Sequence, residues 1–460
     1  MKKIIAILAL MVSATCLNAQ WLDSDVYDRP LKDVLDEVEV RYGISLEYKD
    51  KTVRGLVVKS APWRYAADAA TTLDNILIPL DLRKVDKGKG RFEIKKWEYY
   101  RQSDAEGAAQ LKALWKSYGN LQAWEQRKQA VRNNIIEVLG IDRFPKGEIR
   151  AIETKVRKYK GYTVQNIGLE ILPGVWVCGS LYRPAKSKGQ VPMMLCPHGH
   201  FYNKEDNSIP NERGRYRPDQ QLRCATLAMM GCAVFSYDMW AWGESALAFK
   251  LKDHRSDLGL IMQTWQSIRI LDWLCSQPWA DTSRIGVTGA SGGGTQTMII
   301  AALDKRITLS VPVVMTSSHF YGGCPCESGL PIHILKDAQR SNNAELAAMV
   351  APRAQLVISD GHDWTSTLPE IEFPYLQKVY GLYGAESNVE NAHFVKEGHD
   401  YGPSKRNAMY EFVARKWGLK SASEDNCTIE DAEQMYVFGG ILPEGAVKGS
   451  DNLRIMLKQY

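Results

Sequence analysis

The chain is short of most features that would assign it by composition alone. It has no strong excess of charge of one sign: 58 Lys and Arg against 53 Asp and Glu give +5, and Lys2 and Lys3 supply two of those charges. That mild balance excludes the basic footprint of a nucleic-acid binder, though it tolerates an anionic substrate. Past residue 19 no run approaches the roughly 18 uncharged apolar residues that a membrane helix needs, so no membrane span is expected. No internal repeat and no low-complexity tract interrupts the 460 residues. The nine cysteines do not read as a disulfide framework. Cys196, Cys232 and Cys275 fall inside apolar strand or helix patterns, where a small core residue is the simpler reading. Cys324-Pro325-Cys326 stands apart. Its spacing strains a disulfide, and no neighbouring Cys/His pair in the sequence supports zinc, so neither metal nor cofactor is expected.

What is present starts with a leader pattern. Met1 to Ala19 has a basic start, an apolar core from Ile4 to Val12 and a small residue at Ala19, the plan of a secretory signal peptide. The expected location is therefore outside the cytoplasm, with the periplasm favoured. A lipid anchor on Cys16 is disfavoured, because Ser13-Ala14-Thr15 makes a poor lipobox. Residues 20–97 read as a small α+β unit, residues 98–150 as a helical connector packed on the main domain, residues 151–420 as the catalytic domain and residues 421–460 as an extension. In that extension Met435 to Ile441 is strand-like. In the small unit, the spacing predicts helices over Leu31 to Tyr42 and Tyr65 to Leu73, with a hairpin about Asp86 to Gly90.

From Ala151 short apolar strands alternate with helices, the pattern of an α/β protein with a mostly parallel, doubly covered sheet. The stretch Val287-Thr-Gly-Ala-Ser-Gly-Gly-Gly-Thr-Gln296 runs from a buried strand through a glycine-flanked serine into a helix. That order is the nucleophile elbow of an α/β-hydrolase, with Ser291 as nucleophile. A serine hydroxyl needs a base, and the base needs an orienting acid. In this fold the chain order is serine, acid, histidine. Asp363 supplies the acid, in the loop after the strand Leu356 to Ser359, while Asp360 caps the turn. His399, between a strand and the last long helix, supplies the base; His393 and His362 are set aside as structural or too early. The oxyanion donors expected are the backbone N–H of Gly292 and that of His200, in Cys196-Pro-His-Gly-His, with His198 a structural hydrogen-bonder. The latter stretch resembles the His-Gly-x oxyanion loop of esterases.

Ser236-Tyr-Asp-Met-Trp-Ala-Trp-Gly-Glu-Ser245 resembles the D-x-x-G-x-G-x-S turn of hydrolases, with Ala241 where glycine is usual, which predicts a looser turn. Trp242 beside it either lines the sugar side of the cleft or simply packs. Trp124 through Leu419 resembles the acetyl xylan esterase-like and pectin methylesterase-type α/β-hydrolases exported by gut Bacteroidetes, and more distantly the glucuronoyl esterases. The motifs that carry the resemblance are Trp124-x-x-Arg-Lys, Cys196-Pro-His-Gly-His, Gly289-Ala-Ser-Gly-Gly-Gly, Gly323-Cys-Pro-Cys-Glu-Ser-Gly-Leu-Pro331 and Glu397-Gly-His-Asp-Tyr. It implies a serine carbohydrate esterase acting on a plant cell-wall polysaccharide.

Methyl esters of uronic acids in pectin are the preferred substrate, with O-acetyl groups of xylan or pectin as the alternative. A serine peptidase of the prolyl-oligopeptidase kind is remoter, since the segment before the hydrolase core is too short for a propeller. The cluster Arg213, Arg215 and Arg217 could meet neighbouring carboxylates of an anionic glycan, although a solvated loop is the simpler reading; Arg215 is taken as its contact residue. Trp364 and Glu327 complete the expected contacts, Glu327 ranking second to Asp363 as the acid that orients His399. Pro30-Leu-Lys-Asp-Val-Leu-Asp-Glu with Gly43-Ile-Ser-Leu-Glu-Tyr resembles the secretin and TonB amino-terminal short domain. That resemblance implies a protein partner for the small unit rather than chemistry.

Overall fold

The computed structural model describes residues 27–80, 82–96, 101–200, 214–328, 330–336 and 338–460. The leader reading, with Cys16, and Arg213 lie outside the described residues. The chain divides into two compact units, Met1–Glu98 and Tyr99–Tyr460.

In the first unit the helix Leu31–Tyr42 turns Leu31, Val34, Leu35 and Val38 inward at helical spacing. It ends on Gly43, whose left-handed φ of 62° a side chain would resist. A three-stranded sheet, in which Arg91–Lys96 lies between Ser45–Glu47 and Leu82–Asp86, completes the core. The helix expected from Tyr65 runs instead over Ala69–Leu77. Asp68 decides the start, because its side chain accepts from the Thr71 amide at 2.8 Å and so fixes the N-cap there.

The second unit is built on a ten-stranded sheet. Its strands are β1 (Ala151–Glu153), β2 (Arg157–Lys158), β3 (Tyr162–Leu172), β4 (Val175–Pro184), β5 (Val191–Pro197), β6 (Ala233–Tyr237), β7 (Ala280–Ala290), β8 (Leu309–Val313), β9 (Ala354–Asp360) and β10 (Val389–Phe394). The order is β10-β9-β8-β7-β5-β6-β4-β3-β1, with β2 on β3. The strands from β5 to β10 are parallel, and β1 to β4 add an antiparallel edge. Alternate residues serve opposite faces. Met193 and Leu195 of β5 join one buried cluster, and Met194 and Cys196 join the other. The helices α1 (Asp104–Tyr118), α2 (Leu121–Leu139), α4 (Leu258–Cys275) and α5 (Gly292–Leu303) contribute to the first cluster. The helices α3 (Pro218–Met230) and α8 (Pro403–Trp417) contribute to the second. Two short helices, α6 (Asn343–Ala348) and α7 (Glu372–Gly381), also cover the first face, and α9 (Ser450–Leu457) ends the chain. Both faces of the sheet are therefore covered, as an α/β-hydrolase sheet requires.

The helical segment before the sheet and the tail after it belong to this same unit. The tail is held by polar contacts rather than by sheet pairing. Met435 to Ile441 is not a strand: Gly439 and Gly440 take φ of 58° and 90°, and the amides of Val437 and Phe438 each donate to Glu244 at 2.7 Å. Arg215 completes the attachment. It is 0% exposed and donates to Asp238 Oδ1 at 2.8 Å, Ser180 Oγ at 3.0 Å, Glu244 Oε2 at 3.1 Å and the Met435 carbonyl at 2.7 Å. A guanidinium so enclosed cannot reach a glycan, so the expected substrate contact at Arg215 is replaced by a structural one. Arg215→Met would leave two buried carboxylates without their cation. It is expected to lower stability by about 3–5 kcal/mol, read as an earlier denaturant midpoint. An unchanged midpoint with a raised KM would instead return Arg215 to the substrate.

Candidate active site

The residues singled out for chemistry gather at the carboxyl ends of the parallel strands, where open α/β sheets bind their ligands. Ser291 follows β7, His200 follows β5, Glu327 follows β8, Asp363 follows β9 and His399 follows β10. Ser291 has φ 57° and ψ −122°, a conformation that costs a non-glycine residue about 1–3 kcal/mol. Its amide donates to the Val313 carbonyl, and its own carbonyl accepts from Thr295, so the strained turn is tied on both sides.

The glycines around it answer to contact distances. A Cβ on Gly289 or on Gly293 would lie 2.5 Å from the Pro197 carbonyl oxygen, inside any real approach. The end of β5 thus presses directly on the turn. Gly292 opens α5, and its amide belongs to the first turn, where no intrahelical acceptor exists. A Cβ there would lie 2.7 Å from Cε1 of His200, so the His200 ring lies against the first residue of the helix.

Two hydrogen-bonded histidine–carboxylate pairs stand at this end of the sheet. His399 Nδ1 and Asp363 Oδ2 are 2.6 Å apart, and Asp363 Oδ1 accepts from the Thr365 amide and hydroxyl at 2.6 Å each. The Trp364 ring lies 4.4 Å from that of His399, centroid to centroid, and leans on Phe320. In the second pair, Glu327 Oε1 lies 3.5 Å from Ser291 Oγ and 2.6 Å from His200 Nδ1, and Oε2 accepts from the Gly323 amide at 2.6 Å. Burial alone would raise the Glu327 carboxyl. The His200 imidazole and its hydrogen bond, the Gly323 amide and the charge of His399 outweigh burial and bring it down to about 2.

His198 is buried and receives the Met239 amide on Nε2 at 3.1 Å, while burial drives its pKa down to about 3. Asp360 accepts from the His362 amide at 3.1 Å, and Lys405 lies 3.2 Å from its other oxygen. The turn after β6 is not loosened by its alanine. Ala241 adopts φ 59°, and its amide donates to Ser245 Oγ at 3.0 Å, so the chain bears the left-handed cost, about 1–2 kcal/mol, to keep the turn. Trp242 is 6% exposed and packs with centroid distances of 5.6 to 5.8 Å against His198, His200 and His254, which makes it a wall of the site rather than an open platform.

One residue escaped the sequence reading. His254, from the segment ahead of α4, brings Nε2 to 2.5 Å from His200 Nε2. Together with Cys324 and Cys326 these rings form a group whose donor atoms all lie within 4.8 Å of one another. The second Cys/His pair that the sequence seemed to lack is therefore present in space, and the expectation that the Cys-Pro-Cys spacing disfavours a disulfide is corrected. Cys324 and Cys326 are joined as a disulfide.

Comparison with known proteins bears on the fold and on the class of chemistry. The family described as "Glucuronyl esterase, fungi" matches residues 227–326. Methylesterase BT1017 is 43% identical, covers 94% of this chain and 96% of its own, and superposes with a TM-score of 0.76. The chain belongs to the family of that methylesterase. Membership makes it a carbohydrate esterase of the α/β-hydrolase fold. Two curated relatives are more distant: a putative hydrolase YtaP of Bacillus subtilis (strain 168) is 24% identical over 39% of this chain. The 4-O-methyl-glucuronoyl methylesterase of Hypocrea jecorina (strain QM6a) is 29% identical over 22% of this chain. The chain spans 63% and 27% of the lengths of those two.

The close approach at the elbow has a direct consequence. Gly293→Ala is expected to cost at least about 1–3 kcal/mol, because backbone rather than a yielding side chain opposes the added methyl. Chemical denaturation of the purified variant checks this; an unshifted midpoint would mean that Pro197 can withdraw.

Proposed function

We propose that the esterase hydrolyses methyl esters of uronic acids in pectin-like polysaccharide, with Ser291 as nucleophile, His399 as base and Asp363 as its orienting acid. The observation that carries the reading is the 2.6 Å pair of His399 Nδ1 with Asp363, at the same end of the sheet as the strained, buried serine of the elbow. The choice of a methyl ester is supported by the 43% identity to a methylesterase and by the fungal uronate methylesterase among the relatives.

Ser291 Oγ attacks the ester carbonyl while His399 takes its proton, and Asp363 supports the resulting imidazolium. The Gly292 amide, unpaired within its helix, and the His200 backbone amide are the proposed donors to the oxyanion. Collapse expels methanol, which recovers the proton from His399. The uronyl group stays on Ser291 until water, deprotonated by the same histidine, releases the carboxylate. Glu327 is poorly suited to orient His399. Its oxygens are engaged by His200 and Gly323, and its nearest approach to the triad is to the serine hydroxyl. Trp242 and Trp364 bound the space in which a sugar ring would lie. The small unit would dock a protein partner, and the leader would direct the chain to the periplasm.

Methyl-esterified pectin should release methanol and not acetate, and acetylated xylan should be a poor substrate; acetate without methanol would overturn the reading. Ser291→Ala should abolish turnover. Asp363→Asn should lower kcat by about three to four orders of magnitude, because the amide favours the wrong tautomer of His399. Glu327→Gln should leave a substantially higher rate than Asp363→Asn does. The reverse ranking, measured by methanol release, would make Glu327 the orienting acid.

A further inference from the structure

Beside the nucleophile, ester hydrolysis leaves one cluster of donors unused. His254 Nδ1 lies 2.5 Å from the Trp240 carbonyl oxygen, which can only accept, so this nitrogen carries a hydrogen. His200 Nδ1 faces the Glu327 carboxylate at 2.6 Å and donates likewise. When both rings are neutral each carries one ring hydrogen, and both Nε2 atoms then present lone pairs. They meet at 2.5 Å. Two lone pairs so close repel, and a shared proton or a shared metal ion removes the repulsion.

The sulfurs complete the set. Cys326 Sγ is 3.3 Å and Cys324 Sγ 4.0 Å from His200 Nε2. A tetrahedral ion with bonds of about 2.0–2.1 Å to nitrogen and 2.3 Å to sulfur places its ligand atoms about 3.3–3.8 Å apart, so the two Nε2 atoms, now 2.5 Å apart, and the two sulfurs, now bonded, must each move apart to receive it. Both outer ring nitrogens already have the partners that metal-bound histidines use, a carboxylate and a backbone carbonyl. His254, Cys324 and Cys326 are buried, and His200 is half-buried. The donor set of two thiolates and two imidazoles suits zinc above the harder divalent ions.

We propose that, with Cys324 and Cys326 in the dithiol form, these two cysteines, His200 and His254 bind one zinc ion. Two S–H bonds give way to two S–Zn bonds with release of two protons, the rings contribute lone pairs, and no oxidation state changes. The disulfide seen in the structure is the alternative state. Passage from it to the dithiol takes two electrons and two protons from a thiol or phosphine reductant. With four protein ligands the ion has no open position, so it takes no part in the ester chemistry. It fixes the His200 ring against Gly292 and, through Nδ1, the Glu327 carboxylate beside Ser291. The site stands whichever ester the enzyme opens.

The test uses the full chain, reduced with a phosphine, given zinc and desalted. Bound metal is measured by plasma mass spectrometry, and the cysteines are mapped by alkylation. About one zinc per chain is expected, with Cys324 and Cys326 shielded from alkylation. Zinc affinity should fall by at least about tenfold in Cys324→Ser/Cys326→Ser and in His254→Gln, but not in Cys427→Ser. Cobalt in place of zinc should give a thiolate charge-transfer band that the double variant loses. His254→Gln keeps both sulfurs, so it decides the matter if the double variant does not fold. Undiminished zinc in the folded variants, free thiols without metal in the reduced protein, or a disulfide that survives the reductant would each overturn the proposal.

Discussion

The close approach of the Pro197 carbonyl to the glycines at the elbow is the constraint on which the rest of the site depends. Neighbouring parallel strands β5 and β7 lie against each other there, and a side chain on Gly289 of β7 or on Gly293 of α5 would force the end of β5 away. That approach holds Ser291 in a backbone conformation it would otherwise leave. It also sets the position of the next two loops. His200 leaves β5 immediately beyond Pro197, so its ring lands on Gly292, and Glu327 reaches both. The strain at one residue and the polar arrangement around it have a single packing origin.

Two histidine–carboxylate pairs stand at the serine's end of the sheet, and they differ in kind. His399 and Asp363 come from the loops after β10 and β9, and the ring is half-exposed beside Trp364. His200 and Glu327 come from the loops after β5 and β8 and connect onward to His254 and the two cysteines. The first pair has the geometry to move a proton; the second is fastened on every side and has the geometry to stay still. Electrostatically the two are within reach of each other, because a proton on His399 favours the ionised form of Glu327.

How much of this could be read from the sequence follows from the distance over which each feature is encoded. The strands, the elbow, Asp363 and His399 are local patterns, and their order along the chain is that of the fold. Ala233–Tyr237 and Leu31–Tyr42 have the bounds that their apolar spacing suggests. Features that arise when distant loops meet were not legible. Nothing near His254 marks it as a partner of His200, 54 residues away. Arg215 reads as a solvated loop residue until Asp238, Glu244 and the carbonyl of Met435 surround it. The tail misled for the same reason: Met435 to Ile441 has the composition of a strand, but its amides answer to Glu244 and its glycines turn. Ala241 shows the converse, a residue that disfavours a turn and yet keeps it, because Ser245 captures its amide.

Ser291 is the group proposed to become acylated. Treatment of the full chain with a fluorophosphonate ester, followed by intact-mass measurement and peptide mapping, tests it most directly. One adduct per chain, located on Ser291 and formed in step with loss of hydrolysis, is the predicted result. Complete inactivation with the adduct on any other residue, or full activity with Ser291 modified, would contradict it.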